Sequence, residues 1–326
     1  MSTTIPRLDV IGLGAVAVDE LLYVESYPPA DSKSQVQRRE RQCGGLTGTA
    51  LVAAARLGAR VSYAGVLGND ELSQFVAQRL TVEKVDLSHC VFHDEARPAY
   101  STIIVDTSRH TRTIFCTLGG QIGPADDAPP SEVIAGARVL LIDHHGLQGT
   151  LRAARIARAS GVHVVADFER DPGPPFMQIL ALVDHLVISE SFARQLTGHP
   201  EASAAAAALW NDDRQAVVIT CGRRGCWYMG REDGVCRHQP AFPVDVIDTT
   251  GCGDVFHGAY AAALAWGDSL PQRIVLASAA AAIKAAHRGG QAGIPHLAEV
   301  KRLIAAQEAG ADATAFTAES PPQQPS

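Results

Sequence analysis

The chain predicts an α/β protein built on a mostly parallel sheet, and three observations carry that expectation. From residue 138 onward, short apolar runs alternate with helix-length stretches, the order that right-handed βαβ crossovers require. Hydrophobic content of 46% against 19% charged, over 326 residues, supplies a large core. Two glycine clusters, Gly44-Gly45 and Gly251-Cys252-Gly253, each open a stretch of small and apolar residues at helical spacing.

Residues 8–16 form an apolar run containing Gly12 and Gly14, expected to be a buried strand leading into Asp19. Gly44-Gly45 opens a helix over 47–57, closed by Gly58. A strand over 61–66 and a helix over 70–80 follow, with Asp70 as N-cap. The β-like stretches 100–105 and 111–117 flank the turn Asp106-Thr107-Ser108-Arg109-His110, which makes them a hairpin outside the parallel core. Strand 138–143, helix 149–160, strands 162–167 and 185–189, helices 190–196 and 201–210, and strand 216–220 form the alternating series. A second hairpin is expected over 225–230 and 234–239, then helices over 253–266, 271–286 and 296–306. Residues 309–326, rich in Ala, Pro, Gln and Ser, predict a disordered tail.

Net charge of −7 argues against a nucleic-acid partner. The first seven residues lack a basic and then apolar leader, and Lys284 interrupts the most apolar stretch, 274–286. The expectation is a cytoplasmic protein with no membrane partner. Seven cysteines, an odd number without a C-x-x-C pair, argue against a disulfide framework and a zinc site. Cys252 is expected to pack at a helix start.

Asp248-Thr249-Thr250-Gly251-Cys252-Gly253-Asp254 runs directly into an apolar helix. Amides in a first helical turn lack intrahelical partners and carry the positive end of the macrodipole, so they suit an anion. A carboxylate beside them, Asp254, can accept a proton from an incoming hydroxyl, which is half of a phosphoryl-transfer site. Taken alone, the same residues also describe a glycine-rich helix start with an acid as dipole partner. Asp143-His144-His145 closes a strand at the end where α/β proteins place ligands. Lys33, Arg38, Arg39, Arg41, Arg97, Arg109 and Arg112 make two stretches basic in an acidic chain. They are either solvated edge-strand charges or, for one or two of them, ligands for an anionic substrate.

Cys43-Gly44-Gly45-Leu46-Thr47-Gly48-Thr49-Ala50, followed by Gly65-Val66-Leu67-Gly68-Asn69-Asp70 and, about 200 residues later, by Asp248–Asp254, resembles the PfkB (ribokinase-like) family of sugar and nucleoside kinases. The resemblance implies a three-layer α/β/α sandwich over residues 1–308 with a small β lid from about 15–42 and 92–118. It implies ATP and Mg2+ as cofactors, Asp254 as general base, and Gly251, Cys252 and Gly253 as the anion hole. Asp19, Gly44, Gly45, Thr49 and Asp143 would meet a small-molecule sugar. Thr220, Gly222, Gly225 and Gly290 would lie on the nucleotide side. Asp248 would help hold a monovalent cation such as K+, and lid strands would pair in a homodimer.

Two departures stand out. Thr49 replaces the usual Asn, and Ser189-Glu190-Ser191-Phe192 replaces the usual Asn-x-x-Glu, so Mg2+ is expected to arrive with ATP and stay mostly water-coordinated. The same stretch, with residues 288–295, resembles the ketohexokinase-like branch and implies ATP-dependent phosphorylation of a ketose or ketose derivative. A nucleoside kinase of the same fold and a catalytically silent sugar or nucleotide sensor are the alternatives. Gly12-Leu13-Gly14 suggests NAD weakly, because Ala17 stands where a third glycine is wanted.

Overall fold

In the computed structural model, which describes residues 8–109 and 111–310, β1 (Val10–Leu13) is buried along its whole length. At Gly14 the chain leaves this strand; a Cβ there would collide with Thr47 and Asp143. The expected 8–16 strand is therefore shorter, and a separate strand follows, β2 (Ala17–Val24). β3 (Arg38–Gly44) returns antiparallel to it, with Asp19 opposite Gln42. α1 (Leu46–Arg56) begins at Gly45, whose φ of 88° favours glycine and where a Cβ would lie 2.5 Å from Val16 Cα.

The expected strand over 61–66 is two, β4 (Val61–Tyr63) and β5 (Val66–Leu67). α2 (Glu71–Val82) is capped as expected, with Ser73 N donating to Asp70 Oδ1 at 2.9 Å. β6 (Val91–Phe92) pairs with β5. β7 (Ala99–Asp106) and β8 (Thr111–Thr117) form the expected hairpin. β7 also runs parallel to β2, so four strands make a second sheet ordered β3-β2-β7-β8.

The remaining chain lays down α3 (Ser131–Ala135), β9 (Val139–Asp143), α4 (Leu147–Ala159), β10 (His163–Phe168), α5 (Phe176–Ala181), β11 (His185–Ser189), α6 (Glu190–Thr197), α7 (Ala202–Leu209), β12 (Ala216–Thr220), β13 (Cys226–Gly230) and β14 (Arg237–Gln239). α8 (Cys252–Trp266), α9 (Leu270–Ala285) and α10 (Leu297–Glu308) follow. α5 supplies the crossover between β10 and β11 that the sequence pattern left unassigned. The main sheet runs β14-β13-β12-β11-β10-β9-β1-β4, parallel except for the final hairpin.

Side chains alternate across this sheet with period two. Val139, Leu141, Val165, Val187 and Val218 face the core shared with α1, α8, α9 and α10. Leu140, Ile142, Val164, Leu186, Ile188 and Ile219 face the opposite core with α4 to α7. The result is a three-layer α/β/α sandwich. Ala309 and Gly310 close the described chain after α10; the rest of the expected tail lies outside the described residues, as does His110 of the hairpin turn.

Candidate active site

The strand order brings the C-terminal ends of β1, β9 and β10 together, the place where open α/β sheets put ligands. α8 begins there. Gly251 precedes it in the left-handed region (φ 76°), and a Cβ at that position would lie 2.7 Å from the Gly290 carbonyl. Gly253 is exposed, with nothing within 4 Å of where its Cβ would be. Gly253 therefore leaves open space at the start of the helix, while Cys252 N donates to the Thr249 carbonyl at 3.2 Å. Asp254 stands beside them, partly buried. Burial raises its carboxyl pKa well above the ordinary range, and the charges of Asp167, Glu169, Asp143 and Asp19 add to that. The Cys252 thiol is pushed up to about 11, chiefly by burial, so it stays protonated and packs rather than reacts.

Behind Asp254, His257 ties α8 to the sheet. Its ring nitrogens lie 2.7 Å from the carbonyls of Gly253 and Val187, and Nδ1 is 3.2 Å from Asp167 Oδ2. That Asp167 oxygen has no hydrogen-bond donor, and its carboxyl is also raised, by burial first and then by Glu169 and Asp143.

Between the second sheet and the 246–250 and 288–290 turns lies a cavity of about 630 Å³, whose wall includes Asp19, Gln42, Arg112, Asp248, Arg288 and Gly290. The wall reaches Thr250 and stops short of Asp254. Asp19 is partly buried, and burial raises its pKa against the pull of Ser101 and Arg112. Gly44 makes room for it; a Cβ would come 2.7 Å from Asp19 Oδ2. Gly45, by contrast, serves the backbone contact with Val16. Gly290, expected on the nucleotide side, lines this cavity and donates its N–H to Gln42 Oε1 at 3.1 Å.

Two expected sugar ligands lie elsewhere. Asp143 is fully buried and saturated: Oδ2 accepts from Ala15 N (2.6 Å) and Thr47 Oγ1 (2.9 Å), while Oδ1 accepts from His145 N (2.9 Å) and faces His145 Nδ1 (3.2 Å). Burial alone would raise its pKa; hydrogen bonding and the His145 ring hold it below the ordinary value. It braces β1, α1 and β9 under the site. Thr49 is buried, with its hydroxyl accepting from Gln291 Nε2.

At the end of β12, Thr220 is partly buried, Gly222 (φ 56°) faces open space, and Gly225 is pressed against the Gln239 main chain. Gly225 is thus required by the hairpin. Glu190 pairs with Arg224, while Ser189 caps α6 through Phe192 N.

The lid arginines divide. Arg39 and Arg41 both engage Glu20, which is buried, and Arg41 also reaches Glu71. These are paired edge charges, so the anion-binding expectation is withdrawn for them. Arg112 instead crosses to the turn, contacting Asp248 (3.1 Å) and Thr250 Oγ1.

The donor set at Asp248 does not fit a monovalent cation. Oδ1 accepts from Thr250 N (2.9 Å) and Thr250 Oγ1 (2.7 Å) as well as Arg112, Oδ2 accepts from Gly289 N (2.9 Å), and the main-chain oxygen accepts from Lys284 Nζ (3.2 Å). For Mg2+ the fit is better. Among the described residues no group of three or more His, Cys, Asp or Glu forms a metal cage; an Mg2+ that arrives with nucleotide phosphates keeps several waters. The buried, undonated oxygen of Asp167 is the protein group that would hold it.

The family model described as pfkB family carbohydrate kinase matches residues 8–297. The chain belongs to this family. This carbohydrate kinase is a phosphotransferase with an alcohol acceptor, and kinases of the family use ATP. It is 29% identical over 302 residues to the ribokinase of Haemophilus influenzae, covering 90% of this chain and 97% of that one. A provisionally assigned ribokinase structure from Agrobacterium tumefaciens superposes with a TM-score of 0.86 at 29% identity, over 93% of this chain and 99% of the other. Arabidopsis thaliana ribokinase, solved with ribose and ATP, shares the fold with a TM-score of 0.81 at 22% identity, over 92% and 99%. Among the described residues, no helix of this kinase is long and apolar enough to cross a membrane.

Sequence reasoning missed Gln42, Asp167, His257 and the part played by Lys284. One signal was present: Asp167 ends the expected strand 162–167 just as Asp143 ends 138–143.

Proposed function

We propose that this kinase transfers the γ-phosphoryl group of ATP to a hydroxyl of a ketose or ketose derivative, with Asp254 as general base. The observation that carries the reading is Asp254 in the first turn of α8, its carboxyl pKa raised, beside Gly253, where the lack of a side chain leaves open space. A carboxylate of raised pKa is a stronger base and accepts the acceptor's proton as its oxygen attacks phosphorus. The Gly251-Cys252-Gly253 amides then meet the charge spreading over the equatorial oxygens, already oriented before the reaction. Bound with ATP, Mg2+ would offset phosphate charge.

Asp19 and Gln42 are placed to hold sugar hydroxyls, and the second sheet to act as a lid that excludes water. Arg288 on the cavity wall, joined by Arg112 once it releases Asp248, would extend the acceptor to a ketose bearing phosphate or sulfonate. The ketose preference itself rests on the resemblance of residues 189–192 and 288–295 to the ketohexokinase-like branch. Loops around Gly222 would take the nucleotide. Seven free thiols suit a reducing compartment such as the cytoplasm. The exposed Ile114 and Phe115 on edge strand β8 support a homodimer through the lid.

A coupled assay for ADP release over neutral and anionic ketoses, aldoses and nucleosides tests the reading. One ketose class should dominate, and Asp254→Asn should lower kcat on the order of 10²–10⁴-fold while ATP still binds. Turnover of nucleosides alone would move the assignment to a nucleoside kinase. Near-full activity of Asp254→Asn would remove the base.

A further inference from the structure

Lys284 lies in the last turn of α9 with no exposed surface. A buried ammonium is costly unless its charge is answered. Among the described residues no carboxylate lies within ion-pair distance of it. Its Nζ instead lies 3.2 Å from each of two main-chain carbonyls, those of Asp248 and His287. These carbonyls belong to the two turns that define the start of α8. The turns are also joined by Gly289 N donating to Asp248 Oδ2, and by Ile247 N and Asp248 N donating to Ala285 O (2.8 and 3.0 Å). Gly251 then lies flat against the Gly290 carbonyl. The ammonium occupies the junction on which the position of the anion-hole amides depends.

We infer that Lys284 is a resident cation: its ammonium gathers the Asp248 and His287 carbonyls and sets the Gly251–Gly253 amides, so the kinase works without a monovalent metal ion. This rests on the phosphoryl-transfer reading of the α8 turn. Lys284 is a positioning residue, acting through the backbone of the turn. A free alkali ion gathers carbonyl oxygens only while it is bound, whereas a tethered ammonium is present in every molecule. Its three donors suffice for the two carbonyls.

The test compares the wild-type kinase in potassium, sodium and tetramethylammonium chloride at equal ionic strength, reading kcat/KM and thermal midpoint. Both should be the same in all three salts. Lys284→Met, close in length but uncharged, should lose on the order of 10²-fold in kcat/KM in tetramethylammonium. Potassium should restore much of that loss and raise the variant's midpoint saturably. A merely structural lysine would give a variant equally impaired in every salt, with a midpoint indifferent to potassium, and would overturn the inference. So would a wild-type enzyme that needs potassium or is specifically stabilised by it. If Lys284→Met does not fold, the wild-type comparison still decides. If no acceptor is phosphorylated in any salt, the functional reading has failed, and the wild-type midpoint in potassium still decides the ion question.

Discussion

Asp254 and Asp143 are strand-end or helix-start acids of the same type, and their surroundings send them opposite ways. Asp254 has its carboxyl pKa raised by burial and by neighbouring carboxylates. Below that raised value it is already protonated and cannot act as the base for the acceptor's proton. The acidic limb of the kcat profile should therefore lie above the ordinary carboxylate range, and activity should climb with pH through it. The linkage has the opposite sense for stability. Between the unfolded and the raised folded pKa the native state holds more protons, so stability is lost as pH rises through that window. Asp254→Asn removes the penalty and should melt higher than wild type at neutral pH while losing activity, a trade common at functional sites. A lower melting temperature for the variant, read by calorimetry, would contradict the raised pKa. Asp143 shows why such a distinction was not legible in the sequence. The groups that saturate its Oδ2 come from Thr47 and Ala15, 96 and 128 residues away along the chain. Local pattern identifies a strand-end acid; only the assembled contacts say whether its oxygens are spent.

The helices carry a second such lesson, in glycines of one element with opposite duties. Gly258 sits in the interior of α8, where alanine is ordinarily better by about 1 kcal/mol. Here a Cβ would collide with the Ala50 carbonyl of α1, so α8 crosses α1 at backbone contact. Gly258→Ala should thus lower the melting temperature and, by moving the start of α8, lower kcat as well. Gly253→Ala meets no neighbour and should leave the melting temperature near wild type. It should nevertheless reduce kcat/KM on the order of 10²-fold, because the added methyl stands where the phosphoryl oxygens would approach. If both variants lose stability together, Gly253 is a packing residue and the open anion hole is not there. The helix itself was legible from its run of small residues, as were Asp70 as a cap and the two hairpins, because those signals are local. β2 was not: its run Ala17-Val18-Asp19-Glu20-Leu21-Leu22 mixes buried apolar and charged residues. Glu20 is tolerated inside only because Arg39 and Arg41 arrive from β3 to meet it.

At the scale of the molecule, βαβ alternation made the mostly parallel sheet legible, and the sandwich followed from the family resemblance that the two glycine signatures carried. The pairing that builds the second sheet was hidden, because β2 and β7 are parallel partners from distant segments. That sheet bears on function. Its residues Asp19, Gln42 and Arg112 share one cavity with Asp248, Arg288 and Gly290 from the sandwich side. Arg112 of β8, a strand exposed along its whole length, already reaches across to Asp248 and Thr250. A ligand filling the cavity would add contacts to both sides and hold the sheet against the turn. Hydrogen exchange can register this without turnover if Asp254→Asn is saturated with sugar and ATP. Amides of β2, β7 and β8 should then exchange more slowly than in the free protein, while β1 and β9 to β12, buried between helix layers, should be unchanged. Sugar alone should give part of the protection if it fills the cavity that Asp19 and Gln42 help to line. Uniform protection of both sheets would mean global stabilisation by mass action rather than closure. No protection in β7 and β8 would mean that the second sheet is a fixed wall, and that water is excluded by some other element.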